Sequence, residues 1–312
     1  MKKLLIGYDG SAPAKRALLD LESAAIPAPV EATVISVADV WLPSSALGSG
    51  GAPPHPSKEA LMAFSEAQRL SIEGANLLSK LLPEWRLIPK AMAGSPAWAI
   101  VQAADQSQPE LIVIGAHSQS IFDRYFFGSV ASEILAAAPC SVRVCRPTPD
   151  RYQAADNLRI FLAIDGSNDS AQAFHVVAER AWPRTTSFQI VTVLDTSIAD
   201  ALAGARFGEL AAAHFAGLSE SIAALPQQLA NELRSKGFSA HSMVLEGCPR
   251  KELLKAAEEW KADCIFAGAR GLHHDRSRRV GSVASALARR AHCTVEIVRQ
   301  QIQHNAGRDL SK

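Results

Sequence analysis

The chain has 312 residues, 48% of them hydrophobic and 20% charged, with a net charge of +1. That balance belongs to an ordinary globular protein and removes any bulk electrostatic case for a nucleic acid or an anionic membrane surface as partner. At about 100–200 residues per domain, the length predicts two domains, each large enough to bury a core of its own.

The chain opens MKKLLIGYDGS. This apolar run is too short for a secretory signal and stops at Asp9. No segment approaches the ~20 apolar residues that span a bilayer, so a cytoplasmic protein with no membrane partner is expected. Residues 4–8 read as a strand ending in Asp9-Gly10-Ser11, with a helix over 12–23. A second strand over 33–37 ends in Val37-Ala38-Asp39. The stretch 41–59 is rich in Pro, Gly and Ser and reads as a flexible loop. Its glycines, Gly48, Gly50 and Gly51, follow no tight strand-to-helix turn, while Trp41 and His55 are candidates for a lid. Helix 58–82, strand 87–91, helix 97–106, strand 111–115, helix 130–137 and strand 142–145 complete the alternation. RPTPDRYQAADN, with two prolines, reads as a linker.

The same order then recurs, with strands expected over 159–164, 188–193, 239–245, 264–267 and 295–298. KLLIGYDGS matches RIFLAIDGS, and TVISVAD matches QIVTVLD, at a shift of 156 residues. GSP matches GCP, PELIVIGA matches ADCIFAGA, and FGSVASEIL matches VGSVASALA, at a shift of 153. Five matches in one order identify a duplicated domain, since a solenoid unit runs only about 20–50 residues. The expected domains are 1–147 and 157–302. Continuous apolar strands separated by helices predict an α/β fold, with two tandem doubly wound parallel sheets and right-handed crossovers. Ligands of such sheets sit at the carboxyl ends of strands, beside a topological switch point.

The five cysteines, Cys140, Cys145, Cys248, Cys264 and Cys293, are odd in number and show no CxxC or zinc spacing. Cys140 and Cys293 recur in the contexts APCSVRV and AHCTVEI, which reads as small buried hydrophobes in a reducing compartment.

Two features sit where a ligand would. The first strand of each copy ends in Asp-Gly-Ser: Asp9, Gly10, Ser11 and Asp165, Gly166, Ser167. The triplet serves either as a helix cap and turn or as a carboxylate presented to a ribose hydroxyl. In the second copy, Gly268, Gly271, Gly281 and Ser282 form G-x2-G-x9-G-S after the fourth strand and before a helix. Glycines admit a ligand close to the backbone, and free amides at a helix start attract phosphate. Neither GxGxxG nor GxxxxGK[ST] is present.

This spacing, with the strand endings DGS and V-x-D and the fifth-strand contexts PCSVRVCR and HCTVEIVR, resembles the universal stress protein family over nearly the whole chain, twice. The resemblance implies two Rossmann-like or flavodoxin-like domains of the adenine nucleotide alpha hydrolase-like group. They would pack as an internal pseudo-dimer through their fifth strands, 141–145 against 294–298, with a further homodimer as an option. It implies ATP or another adenine nucleotide as ligand, with Mg2+ as a candidate companion at Asp165. Asp165, with Gly166 and Ser167 of the same turn, would hold the ribose and the backbone of Val193 the adenine. Ala267, Gly268 and Gly271 would border the phosphates, and Gly281, Ser282 and Val283 would donate to them. Asp9, Val37, Gly115, Gly128, Ser129 and Val130 occupy the equivalent places in the first copy. That copy departs at Ser118, which replaces the second glycine, so the second domain is expected to be the better site. Of Arg270, Arg276, Arg278 and Arg279, one or two are expected to meet phosphate. His273 and His274 lack a third metal ligand.

A stress-response or signalling role follows from the resemblance. The alternatives are a slow ATP hydrolase or other nucleotide-utilising enzyme, and a nucleotide-free scaffold. No SGGxDS or HxGH signature, general base or Walker lysine is present, so turnover is expected to be slow at most.

Overall fold

A computed structural model describes residues 1–40, 57–116, 127–146, 157–195, 209–272 and 280–300, with the backbone alone for 209–218. The first half contains β1 (Lys2–Gly7), α1 (Ala12–Asp20), β2 (Val30–Ala38), α2 (Lys58–Leu81), β3 (Arg86–Ala93), α3 (Pro96–Ser107), β4 (Leu111–Gly115), α4 (Ser129–Ala137) and β5 (Ser141–Cys145). The second half repeats it as β6 (Arg159–Ala163), α5 (Asn168–Ala178), β7 (Ser187–Leu194), α6 (Glu209–Ser235), β8 (Ser239–Glu246), α7 (Pro249–Glu259), β9 (Cys264–Gly268), α8 (Ser282–Arg290) and β10 (Thr294–Val298). The helix expected over 12–23 ends at Asp20, and a separate 3-10 turn covers Glu22–Ala24.

All ten strands form one sheet in the order β3-β2-β1-β4-β5-β10-β9-β6-β7-β8. Every pairing is parallel except β5 with β10, which is antiparallel and sets Arg143 opposite Glu296. The two halves therefore join edge to edge through their fifth strands, and each loses an open edge there. The central strands β5 and β10 are buried along their whole length, whereas the outer strands β3 and β8 are half-buried to exposed apart from Ala240. Burial on both faces makes most residues of β5 and β10 apolar, apart from Ser141, Arg143, Thr294 and Glu296.

Alternation along each strand sends neighbouring side chains to opposite faces. On one face α3, α4, α7 and α8 cover a single core that runs across both halves, from Leu5 and Ile112 through Val144 and Val295 to Phe161 and Val191. On the other face the cores are separate. Leu4, Ile6, Val34 and Leu78 pack under α1 and α2. Ile160, Leu162, Phe174 and Leu233 pack under α5 and α6.

In each half the chain steps outward from the first strand, then crosses back to the first strand's other side. The switch points therefore lie between β1 and β4 and between β6 and β9.

Candidate functional site

At both switch points the Asp-Gly-Ser triplet makes the same turn. Gly10 and Gly166 have φ of +75° and +81°, a region open to glycine. The backbone N–H of Ser11 donates to Asp9 Oδ1 at 3.0 Å, and that of Ser167 donates to Asp165 Oδ1 at 3.0 Å. The serine hydroxyls accept from the helix amides of Ala14 (3.3 Å) and Ser170 (3.2 Å), capping α1 and α5. One carboxylate oxygen of each aspartate is thus committed to the turn. The other oxygen of Asp165 faces Gly271, where an added Cβ would come within 2.7 Å of it.

The second half carries extra bracing. The Ser167 hydroxyl lies 2.6 Å from Asp165 Oδ1 and 3.0 Å from the carbonyl of Arg270, linking the turn to the chain leaving β9. Asp169, buried at 3% exposure, accepts from Arg270 through the backbone N–H (3.1 Å), Nε (2.9 Å) and Nη2 (3.1 Å). Arg270 therefore turns its fork onto Asp169, and this hydrogen-bonded pairing raises its pKa. The position equivalent to Asp169 in the first half is Pro13, which has no carboxylate to offer.

The glycines divide by task. A Cβ on Gly268 would stand 2.6 Å from the Ser170 amide nitrogen, and one on Gly115 would stand 2.5 Å from the Pro13 carbonyl carbon. Both glycines let a helix start lie against a strand end, so their hydrogen side chains are filled by protein. Gly281 differs. It is the N-cap of α8 at φ −75°, and a Cβ there would meet the Ala269 carbonyl oxygen at 3.4 Å, an ordinary contact. Its own N–H donates to that oxygen at 2.7 Å.

Among the described residues no side chain caps α8. The helix geometry leaves the amides of Ser282, Val283 and Ala284 without an intrahelical acceptor. Ser282 is exposed and Val283 half-buried. α4 likewise begins at an N-cap, Gly128, with no side-chain cap, and Ser129 and Val130 there are exposed.

Val37 and Val193 extend past the strands beside them. Tyr8 N–H bonds the carbonyl of Ile35 and Ile164 N–H that of Val191. The backbone groups of the residue two further on point the same way, so Val37 and Val193 aim theirs over the ends of β1 and β6. Ala267 sits deeper, at 3% exposure, paired with Ala163 and Ile297 on its two sides.

Ser118, Arg276, Arg278, Arg279, His273, His274, Trp41 and His55 lie outside the described residues. Within them the structure sets Asp165, Gly166, Ser167, Val193, Gly268, Arg270 and Gly271 at or just past the carboxyl ends of β6, β7 and β9, and Gly281, Ser282 and Val283 at the start of α8. Asp169 escaped the sequence reading. Its only signal was a carboxylate in IDGSNDSA where the first copy has proline.

A model of the universal stress protein family matches residues 1–146 and again 157–299. A universal stress protein of Methanocaldococcus jannaschii is 38% identical over 64 residues, 20% of this chain and 38% of that protein. One of Thermus aquaticus is 28% identical over 149 residues, 46% of this chain and 98% of that protein. The crystal structure of a universal stress protein from Archaeoglobus fulgidus superposes with a TM-score of 0.64 at 19% identity, covering 96% of each chain. A putative universal stress protein from Pseudomonas aeruginosa gives 0.57 at 12% identity, covering 96% and 94%.

Proposed function

The chain belongs to the universal stress protein family, and from that premise we propose that it binds an adenine nucleotide, ATP, mainly in the second half, and acts in a stress response or in signalling. The observation that carries this reading is the start of α8, where Gly281 leaves room beside three amides that no side chain caps among the described residues. Positive helix-end charge and open N–H groups fit a phosphate. Across the crevice the backbone of Val193 offers edge hydrogen bonds to a base, and the second oxygen of Asp165 fits a ribose hydroxyl. Among the described residues no group of three or more His, Cys, Asp and Glu converges as a metal site.

The second half suits this task better because Asp169 and Ser167 hold the loop at Arg270, whereas Pro13 cannot. The fork of Arg270 supports the loop from behind. Ser118 stands in the first half where the second has Gly271. Gly271, its counterpart, has no positive φ but lies against the Asp165 carboxylate, where any side chain would crowd the aspartate meant for the ribose.

Calorimetric titration with ATP tests the proposal. Gly281→Ala is expected to weaken binding about ten-fold or more, with its fold intact, because φ −75° suits any residue. Unchanged affinity would remove the α8 start from the site. Ser118→Gly is expected to add a second binding equivalent.

A further inference from the structure

The seam between the halves carries two kinds of contact. One kind is reciprocal. The Arg146 N–H donates to Thr294 Oγ1 at 3.2 Å, and the Arg299 N–H donates to Ser141 Oγ at 3.1 Å. The Arg146 guanidinium donates to the carbonyl of Ala288, and Arg299 Nη2 donates to that of Leu135 at 2.7 Å. The repeat shift of 153 carries Arg146 onto Arg299, Ser141 onto Thr294 and Leu135 onto Ala288. Such contacts would form equally well between two first halves or two second halves.

The other kind lies on the pseudo-two-fold axis, where each position meets its own equivalent. The same shift carries Arg143 onto Glu296, and these two face each other in register. Arg143 Nη1 donates to Glu296 Oε2 at 2.9 Å, with both side chains 2% exposed. A shift of 156 carries Ala24 onto Arg180, and Arg180 Nη1 donates to the Ala24 carbonyl at 2.8 Å. Arg180 Nη2 also holds Glu296 Oε1 at 2.5 Å, and Arg143 Nε holds Asp20 Oδ2 at 2.6 Å.

We propose that this axial set is a pairing lock: the fifth-strand edge of the first half accepts the edge of a second half and rejects a second copy of itself. Asp20 travels with Arg143 and Arg180 with Glu296, so net charge is the same in every pairing. What changes is contact at the axis. Like pairing would press two buried guanidiniums, or two buried carboxylates, together. It would also set Arg180 against Arg180 where Ala24 now leaves room. A buried ion pair adds little stability over an apolar one, but it discriminates strongly between partners. The lock does not depend on nucleotide binding.

Two full-length chains test it, one carrying Arg143→Glu and the other Glu296→Arg, with different affinity tags. Each alone has like charges on its axis. Together, the natural Arg143 of one chain meets the natural Glu296 of the other, with Asp20 and Arg180 in place. Co-expression is expected to yield the mixed complex in about ten-fold or greater excess over either self-complex by native mass spectrometry. Equal yields of mixed and self-complexes would overturn the lock. Should neither chain fold even in the other's presence, the full-length double variant Arg143→Met, Glu296→Met decides. It is expected to show about ten-fold more first-half-to-first-half contact between tagged copies than the wild type, read by cross-linking across the seam, and equal amounts overturn the proposal.

Discussion

Gly268 and Gly281 belong to one sequence pattern yet answer to different neighbours. A methyl group on Gly268 would collide with the start of α5, so Gly268→Ala is expected to lower stability by about 1–3 kcal/mol in a denaturant titration, with Gly115→Ala alike at α1. Gly281→Ala is expected to leave stability unchanged within about 0.5 kcal/mol, because its Cβ finds ordinary contacts. The cysteines make a second case at this scale. Burial pushes the Cys140 and Cys264 thiols up to about 12 and raises Cys145 and Cys293 as well. Thiolate is the reactive form. Iodoacetamide at pH 8 is therefore expected to modify the half-buried Cys248 in the native protein and the other four only after denaturation, as read by peptide mass spectrometry.

Among the helices, those that start at the two crevices divide into capped and uncapped. α1 and α5 spend Ser11 and Ser167 on their first turns. α4 and α8 begin at glycines that offer no side chain. Loss of an N-cap costs about 1 kcal/mol, and Ser11→Ala is expected to show that alone. Ser167→Ala is expected to cost more and also to weaken ATP binding, because Ser167 joins the Asp165 turn to the Arg270 carbonyl. Equal losses for the two variants, with binding intact, would show that the bracing has no bearing on the ligand.

Across the molecule, one apolar core passes through the β5–β10 seam on one face of the sheet. Buried charges sit at the seam's axis. Glu296→Gln removes the anion between Arg143 and Arg180 and is expected to cost about 3–5 kcal/mol, since it leaves Arg180 buried without its carboxylate while Arg143 keeps only Asp20. A shared core and a shared charge cluster make the halves unfold together, so thermal denaturation is expected to show one transition for both.

The chain by itself determined the duplication and the succession of strands and helices within each copy, and the family resemblance supplied the fifth strands as the joining edges. The duplication and the succession follow from local apolar patterning and from repeated motifs, which a linear text carries in full. It also brought Asp165, Gly271 and Gly281 to notice, since strand ends and helix starts are legible from glycine spacing. Only the tertiary structure separated Gly268, filled by α5, from Gly281, open beside α8. It alone turned Arg270 onto Asp169 and set Arg143 against Glu296. These outcomes depend on which segments approach across long sequence distances. Sterics and buried charge act through space, and spacing along the chain holds no record of that approach.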